Sequence, residues 1–222
     1  MNNNIICIFP QDPTTEFLLE IPISLSSYFG NRFKLLHIEP NEKSHAEAIE
    51  FIKKEPNDSI FIFLGHGNTM AFQGSNSESF NCELFIDNEK LNIFTQKSLF
   101  ALACKSNELL DNWGWDIGQY FGFPNIVSSE TELKVELAES TKYFSKTTIK
   151  EIELSNRILV HSVIYCLKGL KYSNNFLHLH KRFKHYINQC IIDCLMKNKG
   201  ESNRELCDNL FRLKENISLR HF

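Results

Sequence analysis

Long hydrophobic runs are scarce in this chain of 222 residues. No apolar stretch reaches the roughly 20 residues that a membrane-spanning helix needs. The first residues, Met1-Asn2-Asn3-Asn4, do not place a basic segment ahead of an apolar one, so no secretory signal is predicted. With only 9 glycines and 6 prolines, the composition excludes collagen and Pro/Gly-rich disordered chains. The sequence therefore predicts a soluble, cytoplasmic protein that makes no membrane contact.

A dominant charge of one sign is also missing. The formal net charge is -3 and the pI is near 6.2, which gives no reason to expect nucleic acid as the main ligand. The charge is nevertheless uneven, because residues 1–130 carry 8 Lys and Arg against 17 Asp and Glu, whereas residues 131–222 carry 16 against 10. This shift coincides with a change in hydrophobic pattern and indicates an internal boundary.

Paired cysteine spacings are absent as well. The seven cysteines are an odd number, and they are scattered along the chain. Without an export signal the protein stays in a reducing compartment, so we expect free thiols and no disulfide bonds.

The first part of the chain alternates short apolar runs with amphipathic stretches, which is typical of βα units and a mainly parallel sheet. We predict strands over 5–9, 33–38, 59–64, 98–103 and 125–128, and helices over 16–28, 43–53 and 107–120. A polar segment over 67–83 has the composition of a long surface loop. After about Lys134 we predict helices over 137–148, 150–171, 175–198 and 201–216, with no strand among them. The expected fold is α/β: an open, mainly parallel sheet flanked by helices, with a helical C-terminal tail.

Two reactive side chains directly follow the two most apolar predicted strands. His66 comes after the run IFIFL in Gly65-His66-Gly67, and Cys104 comes after SLFALA. The carboxyl ends of neighbouring parallel strands share one edge of a sheet, where ligands bind, so the two side chains are expected in one cleft. An imidazole beside a thiol can take its proton and later deliver it to a leaving group.

The surroundings of this pair fit the same chemistry. The helix predicted after Cys104 would add a positive dipole and lower the pKa of the thiol. Gly67 has no Cβ, so its N–H can approach a reacting carbonyl, and together with the Cys104 N–H it would form an oxyanion hole.

These residues carry a family resemblance. The segments IFIFLGHG at 60–67 and LFALACKS at 99–106, in this order and strand context, resemble the caspase-like cysteine peptidases. That group includes caspases, clostripain, gingipains, separases and the CHAT peptidases, and small CHAT-type proteins are the most similar. The resemblance covers roughly residues 5–170. Within it, residues 84–91 resemble the segment before the cysteine strand, and 142–144 with 149–170 resemble the helical pair after the last strand.

The resemblance implies a caspase-like peptidase domain over 1–170 and a helical C-terminal extension over 171–222, packed on or next to it. It implies a cysteine endopeptidase in which His66 is the general base and acid, Cys104 is the nucleophile, and the Gly67 and Cys104 amides hold the oxyanion. It implies peptide-bond hydrolysis through a thioester, with no metal or organic cofactor. The resemblance also implies a protein substrate and a protein activator, as in bacterial defence systems. The basic helical tail is the candidate docking surface, and the polar segment 67–83, which directly follows His66, is a candidate gate over the cleft.

The sequence departs from the family in its specificity residues. Two residues before the cysteine, caspases have a glutamine and metacaspases an aspartate, whereas this chain has Leu102. Neither pocket can be transferred. Asp12, after the first strand, and Glu130, after the last, are the candidate substrate-binding carboxylates, and solvated loop carboxylates are the alternative.

Other interpretations stay open. The protein could be a catalytically silent scaffold that binds a partner, or a cysteine-dependent acyl transferase or amidase.

Cys190 and Cys194 lie one helical turn apart downstream of several histidines, so a metal site is conceivable, although burial on a helix explains them more simply. The basic stretch 180–185 fits a solvated helix face or a binding surface. Phosphate-loop, dinucleotide, serine-hydrolase and zinc-peptidase motifs are absent.

Overall fold

The computed structural model describes residues 3–138, 144, 146–197 and 202–221, and these residues form ten strands and seven α-helices. In chain order the strands are β1 (Ile5–Pro10), β2 (Phe33–Ile38), β3 (Ile60–Leu64), β4 (Ala71–Phe72), β5 (Asn76–Ser77), β6 (Phe80–Asn81), β7 (Ile86–Asp87), β8 (Ser98–Leu102), β9 (Gln119–Gly122) and β10 (Ser218–Arg220). The helices are α1 (Glu20–Phe29), α2 (Glu42–Lys54), α3 (Ser106–Trp113), α4 (Glu130–Ala138), α5 (Ile149–Leu167), α6 (Phe176–Lys197) and α7 (Ser202–Glu215).

Six strands form the main sheet in the order β10-β9-β8-β3-β1-β2. All neighbouring pairs are parallel except β9 with β10. Every residue of β1 and β3 is buried, as expected for strands covered on both faces. The prediction of an α/β fold with a mainly parallel sheet flanked by helices is confirmed.

Two hydrophobic layers cover the two faces of the sheet. Alternate residues of β1 point to opposite layers: Ile5 and Cys7 belong to one cluster, and Ile6 and Ile8 to the other. The first cluster also takes apolar residues from α1, α5, α6 and α7. The second takes them from α2 and α3. The helical tail therefore packs on the sheet and shares its core.

Several predicted boundaries around β9 are wrong. The helix expected over 107–120 ends at Trp113, because the chain turns at Gly114, whose N–H still bonds to the Leu110 carbonyl. The next strand is therefore Gln119–Gly122, and 125–128 is not a strand. The C-terminal region also contains a strand that the pattern did not predict, β10, which is only three residues long.

The helical predictions differ from the structure in two other places. Residues 13–19 form a 3-10 helix before α1, and Pro22 lies in the first turn of α1, where a missing N–H costs nothing. The helix expected over 137–148 corresponds to the earlier helix α4, while Thr148 is the N-cap of α5. Residues 139–143 and 145, including 142–143 of the family resemblance, lie outside the described part of the chain.

No helix within the described ranges has both the length and the apolar content needed to cross a membrane.

Candidate active site

The site lies where β3 and β8 end. Leu64 and Leu102, the last residues of the two strands, pair in register, so the segments that follow leave the sheet side by side. His66 and Cys104 line the same cavity of about 280 Å³. Both also border a narrow void of about 20 Å³ beneath it. The structure thus brings the two predicted residues into one cleft.

The Cys104 thiol is directed at a backbone carbonyl. Its Sγ donates a hydrogen bond to the Ile126 carbonyl oxygen at 3.1 Å. Burial of the thiol, with a smaller contribution from the negative charge of Glu132, raises its pKa to about 12. The sequence-based expectation of a lowered pKa is therefore wrong, because desolvation is the largest influence on this thiol and it acts in the opposite direction. In this arrangement the thiol is protonated at neutral pH.

The His66 ring lies between acidic groups from two directions, and its side chain is 23% exposed. The Nε2 atom is 2.6 Å from Thr14 Oγ1 and 3.8 Å from Asp12 Oδ1. The Nδ1 atom is 3.9 Å from Glu132 Oε1. The ring is thus oriented by a contact with the segment after β1 and faces α4 on its other edge.

Asp12, one of the two predicted substrate-binding carboxylates, is brought to the histidine. It is buried, and its Oδ1 accepts hydrogen bonds from the Thr14 amide at 2.8 Å and from the Thr14 hydroxyl at 2.6 Å. It also caps the 3-10 helix Pro13–Leu19. These contacts place it behind the imidazole, where it has no part in lining the cavity described above.

Glu130, the other predicted carboxylate, is not brought into the cleft. Its side chain is 53% exposed and forms an ion pair with Lys134 at 2.8 Å on the solvent side of α4. The carboxylate that does line the cleft is Glu132, which the sequence analysis missed. Its Oε2 accepts hydrogen bonds from the amide and the hydroxyl of Ser128, at 2.6 and 2.8 Å.

A local signal for Glu132 was present in the sequence. Ser129-Glu130-Thr131-Glu132 has the Ser-x-x-Glu spacing of a helix start, and the Glu132 amide donates to Ser129 Oγ at 3.1 Å. The helix follows β9 on the side of the sheet where ligands bind, and of its two first-turn carboxylates Glu132 lines the cleft whereas Glu130 does not.

The backbone around Gly67 fits the predicted oxyanion role. A Cβ at this position would lie 3.0 Å from Ala103 Cβ and 3.3 Å from the Cys104 carbonyl oxygen, so the close approach favours glycine. Gly67 pairs with Phe72 in an isolated antiparallel β-bridge. Two backbone hydrogen bonds flank this pair: the Asn68 amide donates to the Ala71 carbonyl, and the Gln73 amide donates to the His66 carbonyl. Among the described residues, the Gly67 and Cys104 amides donate to no backbone carbonyl.

The polar segment 67–83 is anchored to the sheet edge. Ser75 is fully buried, its hydroxyl donates to the Ile38 carbonyl at 2.6 Å, and its amide donates to His45 Nε2 at 3.0 Å. Two small antiparallel pairs, β4 with β7 and β5 with β6, order the rest of the segment and its continuation. In this structure the segment is folded, and three of its residues line the cleft: Gly67, Asn68 and Gln73.

A larger cavity of about 570 Å³ adjoins the cleft and shares Lys105, Asn125 and Ile126 with it. Side chains of α5 and α7 line its far side, among them Glu151 and Arg212. This cavity has room for an extended side chain beside the loop that carries Cys104.

The residues considered for a metal are not assembled into a site. Within the described ranges, no group of three or more His, Cys, Asp or Glu residues is placed to hold a metal ion. Cys190 and Cys194 are partly buried on α6 and pack against the main core cluster.

Comparisons with known proteins add no family assignment: no protein-family model matches the sequence, and no curated protein matches it.

Proposed function

We propose that this chain is a caspase-like cysteine endopeptidase that hydrolyses peptide bonds in a protein partner. The observation that carries the proposal is the placement of His66 and Cys104 at the carboxyl ends of two adjacent parallel strands, lining one cavity. The amides of Gly67 and Cys104 accompany them, and in the described part of the chain neither donates to a backbone carbonyl. Thiol, imidazole and paired N–H donors are the groups that acyl transfer through a thioester requires.

The reaction would proceed in two stages. His66 takes the thiol proton as Cys104 Sγ attacks the peptide carbonyl carbon, and the Gly67 and Cys104 amides stabilise the oxyanion. Collapse breaks the C–N bond, with His66 donating the proton to the leaving amine, and leaves a thioester on Cys104. Water, deprotonated by His66, then attacks the thioester, which releases the acid and restores the thiol.

The resting position of the thiol requires one movement before this reaction. Because Sγ donates to the Ile126 carbonyl, the thiol must rotate toward His66 when a substrate binds. The raised pKa of Cys104 also favours concerted proton transfer over a preformed thiolate–imidazolium pair. A protein activator that acts on the segment around Ile126 would be one means of producing this rotation.

The same two features favour a second candidate function. A thiol that bonds to a carbonyl and stays protonated is also what a silent scaffold would contain. Under that alternative the chain would bind its partner without cleaving it, and the basic C-terminal segment would supply the contact.

A mixed peptide library, analysed by mass spectrometry for new termini, separates the two. We expect cleavage by the wild-type protein, none by Cys104→Ala, and at least about a 100-fold loss in His66→Ala, because the general base is removed. Cys82→Ala is the matched control, since Cys82 is a partly buried thiol outside the cleft.

Cleavage that persists in Cys104→Ala would refute the proposal. A wild-type protein that cleaves no peptide, yet binds a partner equally well with and without Cys104, would establish the scaffold.

A further inference from the structure

A chain of polar atoms connects a buried carboxylate to the histidine of the site. Asp12 Oδ1 lies 2.6 Å from Thr14 Oγ1, and the same hydroxyl oxygen lies 2.6 Å from His66 Nε2. We propose that Asp12, acting through the Thr14 hydroxyl, is a positioning residue that holds neutral His66 as the Nε2–H tautomer. The catalytic consequence of this arrangement rests on the proposed function, whereas the tautomer itself does not.

The direction of each hydrogen bond follows from the donors available. A carboxylate oxygen only accepts, and a hydroxyl has one proton to donate. The Thr14 hydroxyl therefore gives its proton to Asp12. Its oxygen is left to accept, so the contact with His66 Nε2 at 2.6 Å requires a proton on Nε2.

The position of Asp12 is itself fixed. Its side chain is buried, and the same Oδ1 atom accepts the Thr14 amide at 2.8 Å as the cap of the 3-10 helix Pro13–Leu19. The cap and the contact with the Thr14 hydroxyl therefore use the same carboxylate oxygen. Thr14 itself lies at the surface, so its hydroxyl can be changed without disturbing the core.

The other ring nitrogen then has its lone pair available on the cleft side. The Nδ1 edge faces Glu132, which lines both the cavity and the narrow void together with Cys104. In the proposed reaction the thiol proton moves to Nδ1, the imidazolium keeps its Nε2–H bond to Thr14, and the Nδ1 proton then passes to the leaving amine nitrogen. The imidazole thus keeps one orientation through both transfers.

Glu132 is the group that would favour the opposite tautomer, with the proton on Nδ1. Its Oε1 lies 3.9 Å from Nδ1, beyond hydrogen-bond distance, whereas the Thr14 contact on Nε2 is 2.6 Å. Its other oxygen is held by Ser128. The shorter contact therefore decides the tautomer.

The direct test is the nitrogen NMR spectrum of protein labelled with ¹⁵N in the histidine rings, recorded at about pH 8, where an unperturbed imidazole is neutral. The His66 signals are assigned by their loss in His66→Gln. We expect Nε2 to give the signal of a protonated nitrogen and Nδ1 that of an unprotonated one. Thr14→Val, which keeps the shape and loses the hydroxyl, should shift the proton toward Nδ1, and Thr14→Ser should restore the wild-type pattern.

Kinetics supply the second readout. We expect Thr14→Val to lower kcat for peptide cleavage by about 10- to 100-fold with little change in KM, because the base is misprotonated while the binding surface is retained. Thr14→Ser should remain within about threefold of the wild type. Asp12→Asn should lower kcat, while Glu16→Gln, which removes an exposed carboxylate from the same 3-10 helix, should not.

A protonated Nδ1 in the wild type would overturn the proposal, as would an Nε2–H tautomer that is unchanged in Thr14→Val. Because the spectrum needs no substrate, the tautomer is decided even if the protein cleaves nothing. If Thr14→Val instead cleaves peptides with the wild-type kcat, the proposed role of the Thr14 hydroxyl is rejected, while the peptidase proposal is unaffected. Near-UV circular dichroism of each variant establishes that the fold is retained.

Discussion

At the scale of single residues, the site combines a protonated thiol with an imidazole whose ring is held by a hydrogen-bond contact. Cys104 bonds to the Ile126 carbonyl, and burial keeps its proton in place, while His66 is oriented from the side opposite the cleft by Thr14. Cys104 is only partly buried, but its raised pKa keeps the thiolate fraction small, so we expect slow alkylation by non-specific reagents.

The pH dependence of alkylation follows from this state. Only the thiolate reacts, and the pKa of Cys104 is raised to about 12, so its thiolate fraction stays small across the neutral range. We expect the rate of chloroacetamide labelling of Cys104, followed by mass spectrometry, to rise about tenfold per pH unit from pH 7 to about pH 10 without a plateau. A plateau reached below about pH 8 would instead indicate a preformed thiolate–imidazolium pair and contradict the protonated resting state.

The residues at strand ends were predictable, and those contributed by loops were not. His66 and Cys104 each follow an apolar run that could only be a buried strand, so their convergence follows from the geometry of a parallel sheet. Thr14 and Glu132 reach the histidine from segments whose course depends on the tertiary packing of a 3-10 helix and of α4. Glu130 is the first carboxylate after the predicted strand 125–128, whereas the helix α4 that directs Glu132 and not Glu130 at the cleft is not predicted from the sequence.

At the scale of elements, the polar segment 67–83 differs most from its prediction. Its composition is that of a mobile surface loop, but Ser75 is buried and bonds to both neighbouring strand ends, at the Ile38 carbonyl and the Gln11 amide. Periodicity could not show this, because the anchoring contacts join residues 30 or more positions apart.

Removing this anchor should destabilise the fold. We expect Ser75→Ala to lower the free energy of unfolding by about 1–2 kcal/mol, since a buried hydroxyl with two backbone partners is lost. Urea denaturation measures this, with Ser77→Ala, a partly exposed serine in β5, as the control that should change stability by less than about 0.5 kcal/mol. Equal effects of the two substitutions, together with rapid proteolysis of 67–83 in the native wild type, would restore the mobile-loop interpretation.

The boundaries around β9 show a second kind of error. The segment 125–128 is predicted from the sequence as the last parallel strand, yet the sheet takes the segment 119–122, which is equally long. Strand choice there is set by pairing with β8, in which Ser98 faces Gln119 and Ala101 faces Gly122. Hydrophobicity alone does not specify that register.

At the scale of the whole molecule, the acidic and basic halves of the chain are not separate units. Apolar residues of α6 and α7 belong to the same core cluster as β1 and β3, and β10 closes one edge of the sheet. The acidic part, 1–130, and the basic part, 131–222, therefore share one hydrophobic core. The fold class and the convergence of His66 and Cys104 on one cavity can be inferred from local patterns. The strand β10 cannot, because three residues carry too little periodicity.

The measurement that tests the central claim most directly is labelling of the purified protein with a peptide-like, thiol-reactive probe. Wild type, Cys104→Ala and His66→Ala are compared, and mass spectrometry identifies the modified cysteine among the seven. An assembled peptidase site predicts selective labelling of Cys104 that is lost in Cys104→Ala and falls at least about tenfold in His66→Ala. Labelling spread over several cysteines and unaffected by His66 would contradict the account.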